Sequence, residues 1–543
     1  MALAAVRRLG RDLAASTRAR ATGVVCQAEV CSASSTEGVR SLDPATSVSP
    51  SWTTRRSRKL CESASASASA SASQGGDEYD VVVVGGGMIG SALACGLKHG
   101  PLTSELRVAV VDKEKQQGWG AESRRGASVP DIRVSTLTPS TLGFLDRVGV
   151  GSNLLPPVSA SFDSMQVWDA FGRGHMQFSS PTFLGQVIEN EVLKEELQRR
   201  AEELGCDFVY GSVTDIAVPR PKVGITKAPE EKPGGDGDRS VISFASGLSI
   251  STPLVVGADG AQSLVAKKAG IRFLEYNYGQ RAVTCALRVS EPHSTAFQRF
   301  LPTGPIALLP VRGGYSNVVW STTVAEAKRL ESLGSKEFAR AVDDALRSEP
   351  ASAGGDVHFF SPATLGSAVS TLLGGRRRTN DVGGDLGQVT ETRGEFVDPP
   401  EVLEVAGTSQ KSFPLGSKHA LTYCQRGVVL VGDAAHRIHP LAGQGVNIGF
   451  GDVECLMIVL QEALWSGQDY SDLLTLEKYS RERRIANAAM IRTLDAVKSL
   501  YQSQYTPLAL TRNLGMDILN NSGPLKDAIV GYASSNATAK KIF

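Results

Sequence analysis

DVVVVGGGMIGSALACGLKHG, residues 80–100, is the stretch that decides the fold. Its four consecutive valines predict a strand buried on both faces, as in a parallel sheet, and the glycines predict a tight turn before a helix. In the pattern G-x-G-x-x-G, Gly85 permits the turn, Gly87 lets a phosphate group approach the backbone, and Gly90 lets the helix pack closely on the strand. The positive end of that helix then faces the phosphates.

A second strand, RVAVVDKE at residues 107–114, completes this unit. Asp112 lies about 20 residues beyond the last glycine, where a carboxylate accepts hydrogen bonds from a ribose diol. Together these features predict a dinucleotide site. The alternative is a buried glycine turn with a surface aspartate.

Two later stretches repeat the design of a strand followed by a turn. ISTPLVVGADG, residues 250–260, ends at Asp259 and Gly260, and GVVLVGDAAH, residues 427–436, contains Gly432 and Asp433. Ligands gather at the carboxyl ends of such strands. A carboxylate there can accept a hydrogen bond from a ribityl hydroxyl, which favours FAD over NAD.

The segment after Asp433 predicts contact with a flat ring. Pro440 stiffens the chain, and Gly443 and Gly445 let the backbone lie close to the ring. A helix is expected to begin near Val446, with its positive end stabilising the negative charge of a reduced flavin.

The remaining sequence predicts an α/β protein in which a Rossmann-like FAD-binding domain is interleaved with a mixed or antiparallel-sheet substrate domain. AVTCALRVS (282–290) and GYSNVVWSTT (314–323) alternate as in antiparallel strands. A helical segment begins near Glu477, and we expect its apolar stripe to pack against the protein, with a membrane-facing role second. The stripe contains Ile485, Ala488, Ile491, Leu494, Val497 and Tyr501. The predicted division is a leader and linker at 1–75, FAD-binding parts at 76–160, 185–272 and 413–476, substrate parts at 161–184 and 273–412, and C-terminal helices at 477–543.

Composition limits the function classes. A net charge of +1 over 543 residues gives no basis for nucleic-acid binding. Eight scattered cysteines indicate a reducing compartment rather than a disulfide scaffold. No apolar run approaches the ~20 residues of a membrane span, so any membrane contact is expected to be peripheral.

The N-terminal region is expected to lie outside the fold. Its first 25 residues are rich in Arg and Ala with Asp12 as the only acid, which predicts a mitochondrial transit peptide; a disordered tail or a plastid peptide is the alternative. Ser63 to Ser73 is a Ser/Ala linker. The stretch from Gly374 to Gln388 is predicted to be a solvated insertion, with Arg376 to Arg378 as an alternative docking patch.

Three motifs together resemble a known family. GGGMIG (85–90), GADG (257–260) and GDAAHRIHPLAGQGVNIGF (432–450) are similar to the aromatic hydroxylase class of flavoprotein monooxygenases, whose fold is that of p-hydroxybenzoate hydroxylase. QRFLPTGPIALLP (298–310), followed by VVWSTT, resembles the ubiquinone-biosynthesis branch, the mitochondrial coenzyme Q ring hydroxylases. The resemblance extends from Tyr79 to about Ala533.

The resemblance assigns site residues by position. Gly85, Gly87, Gly90 and Asp112 match the ADP-binding half, and Asp433 matches the flavin-binding aspartate. The segment that lines the isoalloxazine in relatives corresponds to Pro440, Leu441, Gly443, Gly445, Val446 and Asn447. Arg133, in DIRVSTL, matches an arginine near the flavin, with a surface ion pair as the alternative.

One motif departs from the family pattern. GADGAQSLVAK carries Ala266 where arginine is usual, followed by Lys267. This weakens any case for a nicotinamide partner, whereas Asp259 and Gly260 remain compatible with cofactor binding.

The resemblance implies an FAD-dependent monooxygenase that hydroxylates ring carbon C5 of a polyprenylated hydroxybenzoate with O2. FAD does the difficult chemistry, so no side chain is assigned a catalytic role and no metal is expected. Implied partners are a ferredoxin with its reductase and other ubiquinone-biosynthesis proteins, on the matrix side of the mitochondrial inner membrane. The alternatives are a flavin-dependent isoprenoid reductase or dehydrogenase and a flavin-stabilised scaffold.

Five other side chains invite a functional interpretation without requiring one. His436 and His439 lack a third ligand at metal spacing and are interpreted as hydrogen-bonded structural residues. Trp320 and Tyr278 either line the substrate chamber or fill space near it. Cys455 is expected in the core.

Overall fold

The computed structural model describes residues 77–113, 129–151, 158–172, 174–219, 239–348, 396–440, 443, 445–503 and 505–520, with the single positions 522, 526 and 531. All of them belong to one compact unit, Gln74–Phe543. The predicted leader and linker and the predicted insertion from Gly374 to Gln388 lie outside the described residues.

The described strands form four sheets. In chain order they are β1 Asp77–Glu78, β2 Val81–Val84, β3 Val108–Asp112, β4 Val134–Leu137, β5 Ser159–Phe162, β6 Ser164–Asp169, β7 His175–Ser179, β8 Gly185–Glu189, β9 Asp207–Tyr210, β10 Val213–Ala217, β11 Ser240–Phe244, β12 Ser249–Thr252, β13 Leu254–Gly257, β14 Phe273–Val289, β15 Thr295–Leu301, β16 Gly304–Val311, β17 Tyr315–Thr323, β18 Val402–Ala420, β19 Cys424–Gln425, β20 Val428–Leu430 and β21 His436–Arg437.

The described helices flank these sheets. They are α1 Met88–His99, α2 Pro139–Arg147, α3 Asn190–Glu203, α4 Leu264–Lys268, α5 Val324–Ser332, α6 Ser335–Arg347, α7 Gly445–Trp465, α8 Leu473–Gln502 and α9 Thr506–Asn520. None of the helices in the described ranges is both long and apolar enough to cross a bilayer.

A six-stranded sheet carries the nucleotide-binding motifs. Its order is β19-β20-β13-β2-β3-β9, and every pair is parallel except β19 with β20. Val81–Val84 is fully buried in the middle of this sheet, as its continuous apolar sequence predicts. Burying a valine side chain contributes about 1.5–3 kcal/mol, so these strands form a stable base for the turns that follow them.

An eight-stranded, mostly antiparallel sheet forms the second large layer. Its order is β21-β18-β14-β17-β16-β15-β6-β7, with only β15 and β6 parallel. A four-stranded sheet, β1-β12-β11-β10, and a three-stranded sheet, β4-β8-β5, complete the architecture. The predicted α/β class with a mixed substrate-domain sheet is confirmed, whereas the exact domain boundaries remain a prediction.

The predicted C-terminal helices are confirmed, but the prediction that Ile485 packs against the protein is wrong. Leu494 and Tyr501 are buried in a cluster with β6 and β15, whereas Ile485 is exposed to solvent. The buried face of α8 runs through Tyr479, Arg483 and Asn487 instead, because these side chains meet a polar network inside the protein. Helix α9 is held to β6 by a buried ion pair between Arg512 and Asp169.

The structure places Cys455, Trp320 and Tyr278, whose roles the sequence leaves open or assigns to the core. Cys455 is buried, as predicted, and Trp320 belongs to the core between the eight-stranded sheet and α5 and α6. Tyr278 packs against His439 with ring centroids 5.1 Å apart and donates a hydrogen bond to Asp495 at 2.6 Å. Neither aromatic residue lines the large cavity.

Candidate functional site

The motif turns converge because their strands are parallel neighbours. β2, β13 and β20 end side by side, so Gly85, Asp259 and Gly432 follow at the same edge of the sheet. A cavity of about 1120 Å³ opens there. Its wall also includes strands of the eight-stranded sheet.

The three glycines of the first turn have different surroundings. Gly85 has φ +111°, and a Cβ there would lie 2.4 Å from the carbonyl oxygen of Ala258. A Cβ on Gly90 would lie 1.9 Å from the carbonyl oxygen of Gly85, so the close approach of α1 to the turn requires glycine. At Gly87 a Cβ would meet nothing within 4 Å, and this residue lines the cavity.

Gly87 also begins the anion-binding end of α1. It is the N-cap residue, and no side chain caps the helix there. The first backbone N–H groups of α1 therefore remain available for a phosphate, and the helix dipole favours negative charge at this point.

Asp112 holds the glycine turn in place. Its carboxylate accepts hydrogen bonds from the backbone of Gly86 at 3.0 Å and of Lys113 at 2.6 Å. Gln198 donates to the carbonyl of Gly86 at 2.6 Å from the other side. Asp112 does not line the large cavity, and its predicted contact with a ribose remains a prediction.

The turn after β13 combines a structural carboxylate with a cavity-lining glycine. Oδ2 of Asp259 accepts hydrogen bonds from the backbone of Leu264 at 2.6 Å and of Val265 at 3.2 Å, at the start of α4. Its Oδ1 is buried without a partner. Gly260, at φ +81°, lines the cavity. Ala266, the departure from the family pattern, is buried under this turn.

The turn after β20 presents a carboxylate to the cavity. Gly432 has φ +59°, and Asp433 beside it lines the cavity. None of the described residues hydrogen-bonds to the Asp433 carboxylate, and loss of hydration raises its pKa, against the lowering effect of His436 and Arg437. A hydroxyl-bearing ligand would satisfy this group.

A buried polar network supports this turn, and sequence reasoning missed it. Asp452 on α7 accepts hydrogen bonds from the Gly432 backbone at 3.0 Å, from Arg483 at 2.8 Å and from Asn487 at 3.2 Å. His436 also hydrogen-bonds to Asp452, which confirms its structural interpretation. Burial alone would raise the pKa of Asp452, but the charges and hydrogen bonds of His436 and Arg483 lower it to about 2. The available signal was one carboxylate in the otherwise uncharged run from Val446 to Val453.

His439 differs from His436. Its ring is buried, and neither nitrogen has a hydrogen-bond partner within the part of the chain that the structure describes. Loss of hydration and the nearby charge of Lys498 lower its pKa to about 4. The prediction of a hydrogen-bonded His439 is therefore wrong, because its neighbour Tyr278 presents a ring and bonds to Asp495 instead.

The ring-facing segment lies on the cavity wall largely as predicted. Pro440, Gly443, Gly445 and Val446 line the cavity, and α7 begins at Gly445. A Cβ on Gly445 would meet nothing within 4 Å, so the backbone is open to a ligand. Leu441 lies outside the described residues.

Asn447 takes a supporting position behind this segment. Its Oδ1 accepts hydrogen bonds from the Thr138 backbone at 3.0 Å and the Thr141 hydroxyl at 2.8 Å. Its Nδ2 donates to the carbonyls of Thr136 at 2.7 Å and Gly443 at 3.3 Å. Asn447 therefore joins the start of α7 to the β4–α2 segment and does not itself line the cavity.

Arg133 is distant from the three glycine turns in the sequence but lines the same cavity. It precedes β4, and no carboxylate in the described part of the chain forms an ion pair with its guanidinium. Among the described residues, Arg133 therefore does not form the surface ion pair that was the alternative interpretation. Gly87, Arg133 and Gly445 line one common cavity.

The rest of the wall is mostly apolar. It comes from β5 to β7 and β15 to β18 and includes Phe162, Met165, Phe178, Leu309, Val319 and Leu415. Gln298 is the notable polar member, since no residue of the described ranges hydrogen-bonds to its amide. The cavity exceeds the roughly 300–1,000 Å³ typical of a small-ligand pocket, which leaves space for a cofactor ring and a second molecule.

Comparison with known proteins agrees with this geometry. A model of the FAD binding domain family matches residues 78–371 and 395–493. The mitochondrial ubiquinone biosynthesis monooxygenase COQ6 of Xenopus tropicalis is 34% identical over 466 residues, covering 85% of this chain and 94% of that protein. The Homo sapiens protein of the same name is 34% identical over 461 residues, covering 84% and 92%.

Solved structures share the fold. The p-nitrophenol 4-monooxygenase PnpA from Pseudomonas putida DLL-E4 superposes with a TM-score of 0.58 at 16% identity, covering 86% of this chain and 100% of that one. Klebsiella pneumoniae HpxO, complexed with FAD and uric acid, superposes with a TM-score of 0.54 at 15% identity, covering 84% and 96%.

The cofactor is FAD. Three features of the site fit it: the free carboxylate of Asp433, the open backbone at Gly87 and Gly445, and the uncapped start of α1. The resemblance seen in the three motifs is confirmed. Since relatives 34% identical align along nearly all of their own length, the chain belongs to the ubiquinone biosynthesis monooxygenase family of FAD-binding flavoproteins.

Proposed function

We propose that this flavoprotein monooxygenase hydroxylates ring carbon C5 of a polyprenylated hydroxybenzoate intermediate in ubiquinone biosynthesis. The observation that carries the proposal is a single cavity whose wall contains Gly87, Arg133, Asp433 and Gly445 together with the apolar strands of the eight-stranded sheet. The relatives are named for a monooxygenase of ubiquinone biosynthesis, and an apolar chamber suits a prenylated ring.

The chain's own residues have distinct tasks in holding the cofactor. The backbone at Gly87 and the start of α1 bind the pyrophosphate, and Asp433 accepts a hydrogen bond from the ribityl chain. The N-terminus of α7 at Gly445 and Val446 stabilises negative charge on the reduced ring. When bound and reduced, FAD supplies the oxygen-activating chemistry.

The apolar part of the wall prepares the substrate. It excludes water, which strengthens the electrostatic interactions inside the cavity. The amide of Gln298, which has no hydrogen-bond partner among the described residues, can orient the phenolic ring by a hydrogen bond to one of its oxygen substituents.

Isotope labelling tests the reaction. With ¹⁸O₂, a reduced enzyme and a short-chain prenylated 4-hydroxybenzoate, we expect one labelled oxygen at ring C5 of the product. A reduced isoprenoid without label would support the alternative reductase. Unchanged ubiquinone synthesis in cells whose variant binds no FAD would support the scaffold.

We further propose that electrons come from a ferredoxin and its reductase. The buried Ala266 in place of the family's arginine supports this route, since it removes a cation that could face a nicotinamide cofactor. Under anaerobic conditions, we expect slow bleaching of the flavin by NADPH alone and rapid bleaching after reduced ferredoxin is added. Rapid bleaching by NADPH alone would contradict this route.

For location, we propose a mitochondrial protein bound peripherally to the matrix side of the inner membrane, in a complex with other ubiquinone-biosynthesis proteins. The mitochondrial names of the relatives and the Arg-rich, acid-poor start of the chain support a mitochondrial address. Carbonate extraction and protease protection of isolated mitochondria test it. We expect release by carbonate and digestion only after the inner membrane is opened.

A further inference from the structure

The long helix α8 turns a basic face toward solvent. Positions at i, i+4, i+7, i+11, i+18 and i+22 fall on one side of a helix. On α8 these positions are Leu474, Lys478, Arg481, Ile485, Arg492 and Ala496, and all six are exposed. Within α8, which the structure describes throughout, Glu477 and Glu482 lie on the flanks of this face rather than along its centre.

Large apolar side chains stand among these cations. Leu474 is 79% exposed and Ile485 65% exposed. Side chains of this size gain contacts only from something that covers them.

The start of β14 continues the same surface. Leu274 and Tyr276 are each 64% exposed. Together with Ala488 and Arg492 of α8 they line a depression of about 200 Å³, so strand and helix are neighbours there. Glu275 also lines it, and its carboxylate is paired with Lys418 at 3.7 Å. We name the surface formed by Leu474, Arg481, Ile485, Arg492, Leu274 and Tyr276 the basic apolar patch.

The mixture of residues favours a lipid surface over a protein partner. The centre of a protein interface is depleted of charged residues, whereas here arginines alternate with leucine and isoleucine. Lys and Arg attract anionic phospholipids, and Trp and Tyr prefer the boundary between headgroups and acyl chains. An interfacial helix combines these two features.

We propose that the basic apolar patch lies on an anionic phospholipid bilayer, with its apolar side chains in the headgroup region and Arg481 and Arg492 contacting lipid phosphates. The inference rests on the proposed function, because a polyprenylated substrate resides in a bilayer. Strand β18 connects the two sites: Gly416 lines the large cavity and Ser417 lines the depression. Docking by the patch therefore holds the cavity close to the membrane.

Vesicle sedimentation of the full-length, FAD-bound protein tests the proposal. We expect binding to phosphatidylcholine vesicles that contain phosphatidylglycerol, weaker binding to phosphatidylcholine alone, and release as salt is added. Arg481→Glu combined with Arg492→Glu should lower partitioning into the anionic vesicles about tenfold or more. Leu474→Ser combined with Ile485→Ser should lower it to a similar extent.

The matched control reverses two cations elsewhere. Lys336 and Arg340 are exposed on α6, and Lys336→Glu combined with Arg340→Glu changes the net charge by the same amount as the patch variant. We expect its vesicle binding to equal that of the unchanged protein.

Three results would overturn the proposal: equal binding to neutral and anionic vesicles, a patch variant that binds like the control, or variants that lose an acidic protein partner but keep vesicle binding. Flavin absorbance and hydroxylation of a detergent-solubilised short-chain substrate are measured on the same proteins. Failure of the proposed function appears in those two readouts, and failure of the patch appears only with vesicles.

Discussion

Gly87 and Gly90 belong to one motif, but a methyl group would meet different surroundings at each position. Gly87 has φ −70° and open space around a Cβ, whereas a Cβ on Gly90 would lie 1.9 Å from the carbonyl oxygen of Gly85. We expect Gly87→Ala to fold normally and to weaken FAD binding about tenfold or more, because the methyl group occupies the path of the pyrophosphate. Gly90→Ala should lower the melting temperature, since the helix must move away from the turn.

Absorbance titration of the apoprotein with FAD and thermal unfolding separate these effects. Gly515→Ala is the control, because Gly515 lies in the middle of α9 with open space around a Cβ. Gly270→Ala would not serve, because Gly270 has φ +66° and an alanine there would be strained. Unchanged FAD affinity of Gly87→Ala would show that no phosphate approaches the backbone there.

Gln298 gives a prediction about the substrate rather than the cofactor. Gln298 lines the cavity and its amide has no partner in the described ranges, so Gln298→Leu keeps the volume but removes the proposed hydrogen bond to the substrate. We expect a loss of kcat/KM of roughly two- to tenfold, corresponding to about 0.5–1.5 kcal/mol, with FAD affinity unchanged. Steady-state hydroxylation kinetics measure this, and Gln468→Leu in the exposed turn before α8 is the matched control.

The sequence predicted residues of the cavity wall better than the residues behind them. Gly87, Asp433 and Gly445 follow strands or begin helices, and local spacing is enough to identify such positions. The partners of Asp452 cannot be found this way, because Arg483 is 31 positions away on another helix. The environment of His439 could not be predicted for the same reason. Its ring packs against Tyr278, which is distant in the sequence, and no local pattern indicates that contact.

At the scale of elements, the buried carboxylate of Asp452 joins α7 and α8 to the turn that carries Asp433. Asp452→Ala leaves Arg483 buried without its partner, and we expect a loss of about 3–5 kcal/mol in the free energy of unfolding. Urea unfolding measures it. Asp452→Leu combined with Arg483→Leu should recover much of the loss, because no charge then remains buried.

The exposed ion pair between Glu326 and Arg329 on α5 provides the comparison. Glu326→Ala should cost less than about 1 kcal/mol. An equally small loss for Asp452→Ala would mean that the network does not hold these helices.

The first half of strand β14 could not be predicted from the sequence pattern. The alternating sequence at 282–290 predicts only the second half of β14, which begins at Phe273. The first half is exposed, and the pairing with β18 shifts between Asn277 and Gln280, so no regular alternation marks it. Its strand conformation depends on pairing with residues 417–420 of β18, and no local sequence pattern predicts that pairing.

At the scale of the whole molecule, buried imidazoles make stability depend on pH. The pKa of His439 is about 4 in the folded protein, because its buried ring loses hydration and Lys498 lies nearby. The unfolded chain takes up this proton near pH 6.5, so between those values it binds more protons than the folded protein. The free energy of unfolding should therefore fall as pH drops from about 6.5 to about 4, by roughly 3 kcal/mol at most for this group.

His419, with a pKa also lowered to about 4 by burial, acts in the same direction. Urea unfolding at about pH 7 and about pH 4.5 measures the change. The variant His439→Asn should show a smaller difference between the two conditions than His99→Asn, which alters an exposed ring at the end of α1. Equal differences would contradict the assignment.

The four hydrogen bonds of Asn447 have a consequence for how the cofactor enters. They fasten Thr136, Thr138 and Thr141 to the beginning of α7, across more than 300 positions of chain. The β4–α2 segment and the start of α7, between which we propose that the isoalloxazine binds, are thus fixed to each other by the protein alone. Little ordering entropy is then lost when the ring arrives, and an apoprotein kept folded should accept FAD without rearranging its pocket.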